Sequence, residues 1–317
     1  MATVNTVLGP VDTSRLGFTL SHEHIMTGAA GMRHTYPEFA DYQGVIEDAV
    51  VTLRGAYEEG LRTMIDMSTF DIGRNIEMLA EVSRRSGINI IPTTGSHRSI
   101  PRVFASAAPD AIAALYVREI EEGIEDTGIK AGVIKSASDA GGVTEQEANV
   151  LRAVARAHNR TGAPVSTHTW APDRIGEQQV RILEEEGVDL DRVYIGHSND
   201  TFDVGYLLGL LEKGVWLGLD RYPGGRVSGT PNWQQRTEIV KQLIDAGYGH
   251  KIMLGHDHSI PRGQATPELR EQRARYNPDG YLFITRRVLP YLQELGASDE
   301  DINRIMVDNP RRFFEGS

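Results

Sequence analysis

Eight β-rich runs alternate with helix-period segments along this chain, and no other feature of the sequence narrows the fold so far. The runs are FTLSHEHI at 18–25, TMIDMST at 63–69, INIIPTTG at 88–95 and AGVIKSAS at 131–138, then PVSTHT at 164–169, VYIGHSND at 193–200, VWLGLD at 215–220 and KIMLGHD at 251–257. Between them, VIEDAVVTLRGAYEEG is amphipathic and stops at Gly60, while TEQEANVLRAVARAHNRTG opens on a Thr144/Glu147 capping box and stops at Gly162. Strand and helix repeated eight times predict an α/β fold, a (β/α)8 TIM barrel, with a doubly wound open sheet as the runner-up. No linker, low-complexity tract or shift of composition divides residues 1–317, which are expected to form a single domain. The stretch 282–315 reads as helices that complete the barrel.

Each run starts apolar and turns polar at its end, giving His22 and His24, then Lys135, His168, His197 with Asp200, Asp220 and Asp257. In such a barrel the carboxyl ends of all strands meet on one face, where the chemistry is placed. Side chains alternate along a strand, so His22 and His24 share one side and Glu23 points away. A lone histidine is more often a hydrogen-bonded core residue than a ligand, and His34, His158 and His250 are read that way. The group at the strand ends is different, because burying several unpaired polar side chains together is costly unless a cation collects them. The chain has no cysteine, so that cation would be held by imidazole, oxygen or a modified lysine. Lys135 leaves three alternatives open: a neutral nucleophile, as in a Schiff-base aldolase barrel; a lysine made anionic by carboxylation; or a structural lysine paired with a carboxylate.

The formal charge of −11 and the lack of any Lys/Arg-rich run argue against nucleic acid or an anionic membrane as partner, which leaves a small-molecule substrate. The first residues, MATVNTVLGPVD, have neither a basic stretch nor an apolar one, so no signal peptide is expected and a cytoplasmic location follows by default.

The H-x-H at 22–24, GVIK at 132–135, STHT, GHSND, GLD and LGHD closely resemble the phosphotriesterase family of the amidohydrolase superfamily. STFDIGRNIEMLAEVSRRSG, GIEDTGIKAGVIK, NPDGYLFI and DNPRRFF are similar to it as well, which extends the resemblance over nearly the whole chain. The resemblance implies two divalent metal ions, zinc first and cobalt, manganese or iron as alternatives. His22, His24 and Asp257 would hold the more buried ion, His168 and His197 the outer one, and an N6-carboxylated Lys135 and a hydroxide would bridge them. The implied activity is hydrolysis of phosphotriesters such as paraoxon, of lactones, or of both, by attack of that hydroxide. Asp257 would accept its proton and Asp200 would carry it outward. A homodimer is also implied.

The histidine to which that proton would pass in the phosphotriesterases is Arg221 here. The lactonase members resemble this chain in carrying GLDRY, and the loop RYPGGRVSGTPN that follows is short. TGSHRSIPR, however, places His97 where lactonases tend to have tyrosine and phosphotriesterases tryptophan. His97, Arg221, Tyr222 and His258 are the candidate substrate-binding residues. Two further readings stand beside the first: a hydrolase of some other carboxylic or phosphoric ester with only promiscuous phosphotriesterase activity, and a barrel that binds metal or ligand without turnover.

Overall fold

A computed structural model describes residues 2–225, 227–263 and 266–316. An antiparallel hairpin, β1 (Thr3–Thr6) and β2 (Gly9–Asp12), precedes eight parallel strands. These are β3 (Thr19–Glu23), β4 (Thr63–Asp66), β5 (Asn89–Gly95), β6 (Val133–Ala137), β7 (Val165–His168), β8 (Val193–Ile195), β9 (Trp216–Leu219) and β10 (Ile252–Leu254). Each pairs with the next in chain order, so the eight predicted runs are the eight strands of a nearly closed TIM-type barrel. Every residue of β4, β6, β7, β8, β9 and β10 is buried, the condition of parallel strands covered on both faces, and it explains why the runs read as apolar rather than alternating.

The seam between β10 and β3 lacks a regular ladder but is tied at its carboxyl end. His24 N–H donates to His258 O at 2.8 Å, Asp257 N–H to His22 O at 3.0 Å and Ile260 N–H to Ile25 O at 3.1 Å. The first and last strands are therefore joined at the residues that carry the candidate site.

Inside the barrel, Ile65, Ile91, Val133, Tyr194, Trp216 and Met253 form one apolar cluster with Val4, Leu16, Phe313 and Phe314. The hairpin and the C-terminal helix thus plug the amino end of the barrel and leave the carboxyl end for function. The helix Glu145–Thr161 has the expected Thr144/Glu147 box and ends at Gly162 in the left-handed region. Helix Tyr42–Glu58 begins three residues before the amphipathic run because the Asp41 side chain accepts from Gly44 N–H. The tail is helical as expected, with π-turns at Ile284–Val288 and Arg304–Asp308 just ahead of Pro290 and Pro310. A proline ring clashes with the carbonyl four residues back, and a wider turn relieves that clash. Among the described residues no helix is long and apolar enough to cross a membrane.

Gly95, the last residue of β5, has φ +101°, and a Cβ there would lie 2.0 Å from Lys135 O. Only glycine lets β5 approach β6 at this point, beside a candidate site residue. Gly95→Ala is expected to destabilise the protein by about 2 kcal/mol or more, read as a lower urea midpoint at unchanged slope.

Candidate metal centre

His22 lies within β3 and His24 directly after it, Lys135 within β6 and His168 at the end of β7. His197 and Asp257 follow β8 and β10 in the left-handed region, at φ 58° and 51°. Such backbone is uncommon for residues other than glycine and clusters at functional sites. The structure brings all six together. Lys135 Nζ donates to His22 Nε2 at 2.9 Å. Asp257 Oδ1 lies 3.6 Å from His22 Nε2 and 3.2 Å from His24 Nε2. The His197 ring centre is 4.8 Å from that of His22 and 4.5 Å from that of His168.

One buried carboxylate organises much of this. Asp220, just past β9, accepts from His22 Nδ1 at 2.9 Å, from His197 Nδ1 at 2.9 Å, from the His197 backbone N–H at 2.7 Å and from Tyr194 OH at 2.7 Å. With Nδ1 donating, each ring turns its Nε2 lone pair to the shared space. His24 is set the same way by Ser68 Oγ, 2.9 Å from its Nδ1. Burial pushes the Asp220 carboxyl up, but the His197 and His22 rings outweigh this and hold it well below the usual carboxylate range.

Glu23 points away from the histidines, as period two requires, and is fully buried on the other side of the strand. Its Oε1 accepts from His256 N–H at 2.8 Å and His256 Nδ1 at 2.7 Å, and its Oε2 from His258 N–H at 3.1 Å. The residues flanking Asp257 are thus clamped to β3, which holds Asp257 in its strained backbone.

The donor set suits a divalent cation. His22, His24 and Asp257 each offer a ligand atom within 4.8 Å of one another. His22, His197 and Asp220 meet the same measure, but there both Nδ1 atoms are already committed to Asp220, so that trio orients rather than ligates. The His168 ring is buried at the same mouth, with Asp139 Oδ2 3.8 Å from its Nε2. Burial also lowers the basicity of His22, to about 4, and of His168 and His197, so these rings are neutral near pH 7, the form that binds metal. Burial likewise pulls the Lys135 ammonium down to about 8 although Asp257 and Asp220 resist it. Lys135 forms no ion pair with a carboxylate among the described residues, which removes the structural-pair alternative for it.

Two cavities meet at Arg221 and Asp257. One, about 300 Å³, is lined by His24, His97, Lys135, His168 and His197. The other, about 200 Å³, extends under the loop after β9 and is lined by Asp200, Tyr222, Arg236 and Tyr276. His97 and Arg221 therefore face the cluster, while Tyr222, whose OH lies 3.3 Å from Thr237 Oγ1, faces the second cavity. The His258 ring is buried edge-on against Tyr281. Arg221 NH1 donates to Asp200 Oδ2 at 2.6 Å and its Nε to Asp257 Oδ2 at 3.3 Å, and Arg236 NH2 donates to Asp200 Oδ1 at 2.7 Å. Both oxygens of Asp200 are thus held by guanidinium groups. Of the histidines set aside in the sequence, His158 is a buried residue bonded to Ala163 O, as expected. His34 is instead exposed on a short surface helix, and His250 is half-buried in a turn with Nδ1 2.9 Å from Gly247 O, because neither lies on a strand.

Arg221 spans two carboxylates, so its removal takes the guanidinium from Asp257 and leaves Asp200 with Arg236 alone. Arg221→Ala is expected to lower kcat/KM on phosphotriesters and lactones alike, by roughly ten- to a hundredfold, with a lower melting temperature. Loss confined to lactones at an unchanged melting temperature would assign the side chain to substrate instead.

The chain is 41% identical over 325 residues to a phosphotriesterase homology protein of Mycobacterium tuberculosis, covering 99% of this chain and 98% of that one. It is 35% identical over 309 residues to an aryldialkylphosphatase of Saccharolobus solfataricus, covering 96% of each. An N-acetyltaurine hydrolase of Dictyostelium discoideum is 32% identical over 279 residues, covering 85% of this chain and 73% of the relative. The solved structure of the phosphotriesterase from Mycobacterium tuberculosis superposes with a TM-score of 0.90 at 39% identity, covering 99% of this chain and 98% of the other. Residues 2–314 match the description of the phosphotriesterase family along their whole length, and this chain belongs to that family.

Proposed function

We propose that the protein is a binuclear metal-dependent hydrolase of phosphotriesters, lactones or both. The observation that carries this reading is the convergence of His22, His24 and Asp257 with Lys135, His168 and His197 at the open end of the barrel. His22, His24 and Asp257 would hold the inner ion and His168 and His197 the outer one, with Lys135, carboxylated on Nζ, between them. Carboxylation needs a neutral amine to add to carbon dioxide with loss of one proton, and the burial that lowers the Lys135 ammonium favours it. Two divalent ions held there would supply a water nucleophile near neutral pH and polarise the bond under attack.

The chain's own groups do the rest. Asp220 and Ser68 keep three imidazoles in one tautomer. Asp257 takes up the proton of the attacking water, and Glu23 keeps Asp257 in place. Arg221 does not deprotonate in proteins, so it cannot relay that proton as an imidazole would; it fixes Asp257 against Asp200 at the shared wall of the two cavities. A homodimer is part of the proposal, and sedimentation of the purified protein at two ionic strengths tests it.

A second reading has a specific support. One relative is named for the hydrolysis of N-acetyltaurine, so the native bond in this chain could be another acyl linkage, with phosphotriester cleavage promiscuous. Measuring kcat/KM on a paraoxon-like phosphotriester, on lactones of several ring sizes and on N-acetyltaurine separates the two. Preference for a lactone or the phosphotriester supports the first reading. A much higher value on the amide supports the second, and no turnover by metal-loaded protein on any of them removes both.

A further inference from the structure

Three of the four imidazoles assigned to the ions have an acceptor at hydrogen-bond distance on Nδ1: Asp220 for His22 and His197, Ser68 for His24. His168 is arranged differently. Its Nε2 is buried without a hydrogen-bond partner, and the carboxylate facing it is Asp139, with Oδ2 at 3.8 Å, just beyond hydrogen-bond length. Asp139 lies in the loop after β6, and its own loop fixes the carboxylate, since Ala140 N–H donates to Oδ1 at 2.9 Å. From the loop after β5, Arg98 NH1 reaches Asp139 Oδ2 at 2.6 Å.

The same carboxylate could instead be a metal ligand in its own right. The Arg98 contact speaks against that, because a guanidinium already on Oδ2 would repel a divalent cation brought to the same oxygen. An acceptor for an imidazole N–H suffers no such conflict.

We propose that Asp139 is the positioning residue of His168: it accepts the Nε2 proton and so leaves Nδ1 as the nitrogen that binds the outer ion. The inference rests on the binuclear reading above. It also makes the two ions unequal. The inner ligands are anchored by fully buried groups of the barrel, Asp220 and Ser68, whereas His168 depends on a loop carboxylate that is 22% exposed and tied to an arginine that is 57% exposed. The outer ion is therefore the one whose binding the loops control.

The test is a titration of metal-free protein with Zn2+ or Co2+ against a chromophoric chelator, which resolves a first and a second binding step. Asp139→Ala is expected to weaken the second step by about ten- to a hundredfold, the usual consequence of losing the orienting partner of a metal-bound histidine, and to leave the first step unchanged. Asp139→Asn should recover part of the loss, because its amide oxygen still accepts. In the Co2+ protein the visible absorption that appears with the second equivalent should shift in the alanine variant. The inference is overturned if Asp139→Ala titrates as wild type, or if it weakens both steps alike, which is the mark of a merely structural role. A wild-type protein that takes up no second ion overturns it together with the binuclear reading, whereas normal uptake of two ions by wild type and variant alike overturns it alone.

Discussion

Treating the protein with a chelator should lower hydrolysis by several orders of magnitude, and adding back about two equivalents of divalent metal per chain should restore it. The expectation follows from what the chain can do unaided. A hydrolase needs a nucleophile that is ionised near neutral pH, and the chain has no cysteine to supply one. His22, His24 and His197 already have Nδ1 committed to Asp220 or Ser68. The remaining nitrogens of His22 and His24 converge on a carboxylate and, for His22, a lysine, a geometry suited to holding a cation and poorly suited to acting as a general base. Metal removal should also lower the melting temperature, because ions that bind only the folded chain stabilise it by mass action. Active enzyme with a metal content near zero would sink the functional reading.

Much of the architecture could be read from the strand ends. Parallel strands buried on both faces leave apolar runs, and the abrupt change to His, Lys or Asp at their last positions marks the carboxyl face of the barrel. Less could be read of what holds the cluster. Asp220 was visible as a polar strand end, but its grip on His22 spans 198 positions and exists only once the barrel closes. Glu23 carried a signal that the alternation argument used only halfway: a carboxylate turned away from the mouth of a buried strand must find several donors or cost much free energy. It finds them at His256 and His258, across the seam. Asp139, within SDAGG, reads locally as a turn residue, and nothing in its neighbourhood along the chain points to His168. Arg221 was legible as a departure from the family pattern, whereas its two carboxylate partners were not, because only the folded chain decides which of several nearby aspartates it meets.

The largest effect of a single substitution should come from Lys135. Its Nζ is fully enclosed, donates to His22 Nε2 and has no ion-paired carboxylate among the described residues, so burial outweighs the support that Asp257 and Asp220 give a charged ammonium there. A cation brought to the same space would compete for that lone pair and repel the ammonium. Conversion of Nζ to a carbamate removes the conflict, replacing one positive charge by a negative one at the centre of the cluster. Lys135→Ala is therefore expected to lower kcat by roughly a thousandfold or more, since it removes a bridging ligand rather than a binding contact. A short carboxylic acid such as acetate or propionate should restore part of the loss by occupying the space the side chain vacates. In the wild-type protein, activity should return faster when metal is added back with bicarbonate than without it. The Schiff-base alternative predicts the opposite pattern: no bicarbonate effect, no rescue by a carboxylic acid, and a substrate adduct on Lys135 after borohydride treatment, detectable as a mass increase on the peptide that contains it.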